Sequence, residues 1–236
     1  MKNLSYHEQK DIENIKRLRQ LMKELPPFCV DFFRGIEPQT STRTRIAYAY
    51  DLRIFFDFLR RNNSEIKKMG TDIPLSVLEQ LTVTDLEEYM EYLKYRDNAQ
   101  GQEIINRERG IMRKISSLKS FYNYFYRTEK LKNNPAALVQ LPKLHEKEII
   151  RLDIDEVVLL LDEVEKGDNL TPKQKAFHDK TKVRDLALLT LMLGTGIRVS
   201  ECVGLNLNDV DFKNGGIQIH RKGGKEVTVY FGREVE

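Results

Sequence analysis

Arg184-Asp-Leu-Ala-Leu-Leu-Thr-Leu-Met-Leu-Gly-Thr-Gly-Ile-Arg-Val-Ser-Glu201 is the stretch on which the reading of this chain turns. It starts as a strongly apolar helix, from Arg184 to about Leu193, and Gly194-Thr195-Gly196 breaks it. Ile197 to Val203 reads as a second, short helix. The two glycines invite a dinucleotide-binding reading, which fails on two counts. A helix precedes them where a strand is needed, and position 199 is Val where the third glycine should stand. What is left is a glycine-marked break between two helices.

Beyond the corner, Leu205-Asn-Leu-Asn-Asp209 leads into three short predicted strands, Val210 to Phe212, Ile217 to His220 and Val227 to Phe231. Asn214-Gly215 and Gly223-Gly224 are hairpin turn signals between them. Gly223-Gly224-Lys225 is not a phosphate-binding loop, because the preceding glycine spacing and a following Ser or Thr are absent. Upstream of the corner, Asp153 with Glu156 predicts a helix start, and Val157, Leu160, Leu161 and Val164 give that helix a buried face. Residues 166–182 are charged, contain Pro172, and read as a loop.

The first 143 residues read as helices. Ser5 with Glu8 opens one that Pro26-Pro27 ends, and a short apolar segment, Phe28 to Phe33, follows. The next starts near Ser41 and Thr42, with Tyr48, Leu52, Phe55 and Leu59 as one stripe. Arg43, Thr44 and Arg45 lie in its first turn, where basic side chains oppose the helix dipole. Exposed N–H groups, a hydroxyl and two arginines would suit a phosphate there, and ordinary surface arginines fit equally. Residues 61–82 read as a loop with a short apolar segment. Thr84 with Glu87 predicts the next helix start, and residues 97–101 break that helix. A long helix from about Ile104 to Lys130 buries Ile111, Ile115, Leu118, Tyr122 and Phe125. Its opposite arc holds Arg113, Ser116, Ser117, Ser120, Tyr124 and Arg127. Small hydroxyls flanked by arginines permit close approach to a sugar-phosphate backbone.

Composition narrows the classes. The 236 residues are 32% charged and 40% hydrophobic, which excludes a disordered or collagen-like chain. The most apolar run, Leu186 to Leu193, is too short to span a bilayer, and the N-terminus lacks an apolar signal stretch, so a cytoplasmic protein is expected. Two cysteines exclude a disulfide scaffold, and His7, His145, His178 and His220 lack metal-ligand spacing, so neither a metal nor a cofactor is expected. The net charge is +3, but residues 1–150 sum to +5 and residues 151–236 to −2. Between Ile111 and Lys132 six basic residues face one acidic one. A polyanionic partner would fit this stripe, although charge alone favours a solvated helix face.

The stretch 184–201 closely resembles the first arginine box of the tyrosine recombinases, the phage-integrase and Xer-like site-specific DNA recombinases. Leu205 to Asp209 resembles that family's passage into its small sheet. His220-Arg-Lys-Gly-Gly-Lys225 resembles the hairpin that carries its catalytic lysine. Thr44 with Tyr48, Asp51-Leu52 and Phe55 is similar to the first helix of its DNA-clamping domain, and the helix ending in Asn134-Pro135-Ala136 is similar to that domain's last. The similarity covers roughly residues 28–236. It implies a mainly α fold: a helical, SAM-like DNA-clamping (core-binding) domain, then an α-helical catalytic domain with a small antiparallel three-stranded sheet. The expected boundaries are an N-terminal helical extension over 1–25, the core-binding domain over 26–143, a linker over 144–150 and a partial catalytic domain over 151–236.

The resemblance also implies chemistry: a tyrosine attacks the scissile phosphate and forms a 3′-phosphotyrosyl bond, with neither metal nor nucleotide. Arg198 matches the first arginine of that site, and its always-charged fork suits two non-bridging oxygens. Lys222 matches the lysine that protonates the 5′ leaving oxygen, with Lys225 as the alternative. Both lysines merely touching phosphates is a further reading. Glu201 is expected to orient the site rather than react. The partners implied are double-stranded DNA and further recombinase protomers, a synaptic tetramer on DNA, and no membrane. Arg43, Thr44, Arg45, Arg113, Ser117, Ser120, Arg127 and Lys225 are the expected DNA-contacting residues. The His-x-x-Arg box and the nucleophilic tyrosine do not appear in the 38 residues after Arg198, and Tyr230 falls in a predicted strand. The chain is therefore expected to be a C-terminally truncated recombinase, inactive alone. The alternative is a non-catalytic DNA-binding regulator that competes for recombination sites.

Overall fold

A helix whose apolar side chains recur every three to four residues must bury that line, and the helix Glu108–Arg127 organises the first half of the chain by doing so. A computed structural model describes residues 4–98, 100–145, 148–221, 225–233 and 235. It divides into two units, Met1–Glu146 and Lys147–Glu236.

The first unit is helical: α1 (Tyr6–Met22), α2 (Cys29–Ile36), α3 (Thr42–Asn62), α4 (Ser64–Met69), α5 (Ser76–Gln80), α6 (Val83–Lys94), α7 (Glu108–Arg127) and α8 (Pro135–Leu138). Ile111, Ile115, Leu118, Tyr122 and Phe125 of α7 are all buried, as are Leu52, Phe55 and Leu59 of α3. Between these helices lies an aromatic cluster. Phe121 meets Phe32 edge-to-face at 5.0 Å and Phe125 at 5.1 Å between ring centroids. α1 is part of this core, because Leu18 and Leu21 bury against it and Leu25 follows them.

Several elements differ from the sequence reading. The apolar segment Phe28 to Phe33 is the N-cap and front of α2, and the stretch read as a loop over 61–82 holds α4 and α5. Asn63 caps α4 by accepting from the backbone N–H groups of Glu65 and Ile66. The capping box of α6 is made by Thr82 and Asp85 rather than Thr84 and Glu87. Around the expected break two antiparallel strands form, β1 (Tyr95–Asp97) and β2 (Glu103–Ile105). There Asn98 Oδ1 accepts from the N–H groups of Gln100 and Gln102, and Gly101 takes φ +74°.

The second unit contains α9 (Ile154–Lys166), α10 (Pro172–Thr195), α11 (Val199–Val203) and the strands β3 (Val210–Asp211), β4 (Gly216–Arg221) and β5 (Lys225–Tyr230). The strands form one antiparallel sheet in the order β3-β4-β5. Asp153 and Glu156 make the expected capping box at α9. The charged segment read as a loop is instead mostly the front of α10, since Thr171 caps with Gln174 and Pro172 occupies the first turn. Ile197, Cys202, Ile217 and Ile219 form this unit's small buried core. No helix among the described residues is long and apolar enough to cross a membrane. Phe121 touches the rings of five aromatic neighbours. Phe121→Ala is expected to cost about 3–5 kcal/mol of first-unit stability, read by urea unfolding followed by tyrosine fluorescence.

Candidate nucleic-acid interface

Helix α10 ends because Gly196 takes the left-handed conformation, φ +67°, and donates its N–H to the Met192 carbonyl. Thr195 also donates its hydroxyl to the Leu191 carbonyl. The chain then turns, Ile197 drops into the small core, and Arg198 emerges beside it with a side chain 72% exposed. Its guanidinium Nη1 lies 2.9 Å from Glu201 Oε1, and its backbone N–H donates to Glu201 Oε2 at 2.8 Å. Arg198 therefore bonds forward to Glu201, not back to the carbonyls that end α10. Arg221, the last residue of β4, brings Nε to 3.7 Å from the same Glu201 Oε1.

Glu201 has a side chain only 8% exposed. The backbone N–H of Arg198, then its guanidinium and the charge of Arg221, hold its carboxyl below the usual carboxylate range, against the upward push of burial. Glu201 thus fixes the direction of Arg198 while the outer face of the guanidinium stays open to solvent. Lys225 is exposed at the start of β5, directly opposite Arg221 in the strand pair. Lys222, the expected proton donor, lies outside the described residues. Arg221 was not among the residues expected from sequence. The signal for it was present: Ile217, Ile219 and Arg221 alternate at a period of two, which places Arg221 on the face of the strand that carries the core.

In the first unit the expected residues divide. Arg43 is exposed in the first turn of α3. Thr44 is half-buried: its N–H donates to Ser41 Oγ at 3.2 Å, and its hydroxyl meets the same oxygen at 2.9 Å. Arg45, expected at the surface, is instead 6% exposed and pairs with Glu37 at 2.5 Å. One helical position past Thr44 faces the groove between α1 and α2, so this guanidinium is a packing element. On α7, Arg127 is exposed and Ser120 half-buried. Ser117, also expected on the outer arc, is buried, and its hydroxyl donates to the Lys114 carbonyl at 2.8 Å. It shares the α7 face that meets α3, which leaves no room for a phosphate.

Arg113 has a structural partner. Its Nη1 and Nη2 each lie 2.6 Å from the two carboxylate oxygens of Asp51, a bidentate pair joining α7 to α3. Asp51 is buried, whereas the Arg113 side chain is 50% exposed. Burial pushes the Asp51 carboxyl up, and the charges of Arg113 and Lys114 and the Arg113 hydrogen bonds oppose it. Among the described residues, no three His, Cys, Asp or Glu side chains lie together in a way that could hold a metal ion.

Residues 151–236 match the family model described as the phage integrase family. Over 216 residues the chain is 34% identical to the tyrosine recombinase XerC of Caldanaerobacter subterraneus subsp. tengcongensis, covering 87% of this chain and 55% of that protein. It is 31% identical over 243 aligned positions to the tyrosine recombinase XerS of Lactococcus lactis subsp. cremoris, covering 93% of this chain and 67% of that one. The chain thus spans little more than half the length of the XerC relative. The fold is similar to that of the XerH site-specific recombinase bound to its difH substrate, with a TM-score of 0.54, 16% identity and coverage of 83% and 51%. It is also similar to that of the Tn1549 transposon integrase in complex with circular intermediate DNA, with a TM-score of 0.52, 18% identity and coverage of 89% and 62%.

Two measurements check the local electrostatics. Arg113→Met leaves a buried, unpaired carboxylate at Asp51. It is expected to cost about 3–5 kcal/mol in urea unfolding, with part of the loss recovered by adding Asp51→Asn. A carboxyl held low in the folded chain stabilises it above the unfolded value of 4.5 and loses that contribution as pH falls through the folded value. The thermal stability of the wild type should therefore fall more steeply below about pH 4.5 than that of Glu201→Gln. Parallel profiles would remove Glu201 from the account.

Proposed function

Because the chain belongs to the Xer-type tyrosine recombinases, we propose that it binds duplex DNA and supplies the phosphate-gripping part of a strand-cleavage and rejoining site. The observation that carries this reading is Arg198. Its guanidinium is tethered on one side by Glu201 and open on the other. A planar, always-charged group held this way can donate two N–H bonds to non-bridging phosphate oxygens without first being ordered. Its charge is worth most in the transition state of phosphoryl transfer, once DNA has displaced water.

In this reading Lys222, with Lys225 as the alternative, protonates the 5′ oxygen as it leaves. A tyrosine attacks the phosphorus to give the 3′-phosphotyrosyl bond, and the 3′ bond is later returned to a 5′ hydroxyl, so no high-energy cofactor is consumed. The attacking tyrosine and the His-x-x-Arg box do not occur within these 236 residues, where the last tyrosine, Tyr230, lies in β5. These residues alone therefore bind DNA without cleaving it, acting in the cytoplasm and alongside other recombinase protomers. The first unit serves as a core-binding clamp through Arg43, Thr44, Ser120 and Arg127. A chain that binds without cleaving could also act as a regulator. Added to a recombination reaction, a regulator would inhibit it in proportion to site occupancy.

Binding of the chain to a fluorescent duplex, titrated over NaCl concentration, tests the reading. Affinity should fall linearly with salt on logarithmic axes, with a slope near −0.9 for each phosphate contacted, and Arg43→Gln should reduce that slope by about one contact. Absence of affinity for any duplex at low salt would overturn the reading.

A further inference from the structure

The site contains one more cation than the arginine box and the hairpin lysine account for. In β4 the side chains alternate. Ile217 and Ile219 are buried in the small core, Gln218 and His220 are exposed on the other face, and Arg221 continues the inner series beyond the end of the apolar packing. In the strand pair, Ile217 opposes Val229, Ile219 opposes Val227 and Arg221 opposes Lys225. Directly opposite residues project to the same face, so Lys225 stands on the Arg221 face as well. His220, by contrast, pairs with Glu226 on the other face, at 3.3 Å.

Three cationic residues therefore converge on this face. Arg198 Nη1 and Arg221 Nε reach the same oxygen of Glu201, at 2.9 and 3.7 Å, and Lys225 lies across the strand from Arg221. Among the described residues, Glu201 is the carboxylate that pairs with Arg198 and Arg221, one negative charge for two guanidiniums. Like charges directly opposite in a strand pair destabilise it. Two guanidiniums drawn to one carboxylate oxygen also repel each other. An arrangement that gathers cations at a cost in stability, with the Arg221 side chain still 41% exposed, is complementary to a bound anion.

We propose that Arg221 is a further phosphate-binding residue of this site, sharing Glu201 with Arg198 and, with Lys225, presenting a second fork to the DNA backbone. The inference rests on the DNA-binding reading above and deepens it. The shared carboxylate sets the spacing between the forks, so Arg198 and Arg221 act on one phosphodiester or on two consecutive ones. A lysine at position 221 keeps the charge but loses the planar fork that Glu201 orients.

The test uses the whole chain and a fluorescent duplex in an NaCl series, with wild type, Arg221→Gln, Arg221→Lys and Arg43→Gln compared. Arg221→Gln should lower the logarithmic salt slope by about 0.9, and Arg221→Lys should hold it near the wild-type value. If Arg221 serves only as a counterion for Glu201, Arg221→Gln will lower the melting temperature and leave the slope unchanged. That result, with a reduced slope for Arg43→Gln, would overturn the inference and leave the DNA-binding reading standing. No binding by the wild type at low salt would overturn both. Should Arg221→Gln fail to fold, arginine-selective modification of the wild type by phenylglyoxal, read by mass spectrometry, takes its place. Duplex DNA is expected to protect Arg221, and equal modification with and without DNA would overturn the inference.

Discussion

Glu201 is nearly buried and held ionised, and the geometry of the second unit's site depends on it. With little of its side chain open to water, the carboxylate relies on its partners for charge compensation. Its partners are the backbone N–H and guanidinium of Arg198 and the guanidinium of Arg221. Each of these contacts follows from a local feature of the chain. Gly196 ends α10 in the left-handed conformation, Ile197 anchors the corner in the core, and strand alternation carries Arg221 to the same side. One acid thus joins a helix corner to a strand end and leaves two cationic faces turned outward.

The first unit uses the same chemistry for a different end. Asp51 is buried, and Arg113 meets it with both terminal nitrogens. Here the pair joins α3 to α7, so the arginine is committed to holding two helices in register. The difference lies in the number of cations. Asp51 is matched by a bidentate fork with Lys114 nearby, whereas Glu201 lies among three converging cations. An arginine already satisfied in this way contributes less to an anionic partner than one in a site with charge to spare.

The long apolar stripes of α3 and α7 were legible in sequence from their period, whereas the face read as buried on α9, Val157, Leu160, Leu161 and Val164, holds no buried residue and Leu160 is exposed. Ile111 through Phe125 and Leu52 through Leu59 are buried as the spacing predicts, and the strands around Asn214-Gly215 lie close to where the turn signal places them. Short elements were harder to read. α4 and α5 are six and five residues long, too short for a period to show, and only Asn63 and Pro74 mark their starts. The front of α10 was hidden by its charge, although Thr171-Pro172 with Gln174 is a helix start. At the site, Arg198 was legible through its resemblance to the family's arginine box, whereas Ser117, Arg45 and Arg113 looked alike as polar residues at helical spacing. Which of them faces solvent depends on the rotation of α3 and α7 against their neighbours, and no local pattern encodes that rotation.

The proposed contact is between the guanidiniums gathered at Glu201 and the DNA backbone. The most direct measurement is a nitrogen-15 NMR titration of the arginine Nε–Hε resonances with a duplex, assigned by substitution at Arg198 and Arg221. If that contact forms, both resonances shift in step with binding, together with that of Arg43, while the Arg45 resonance, already paired with Glu37, stays in place. Binding with the Arg198 and Arg221 resonances unmoved would contradict it.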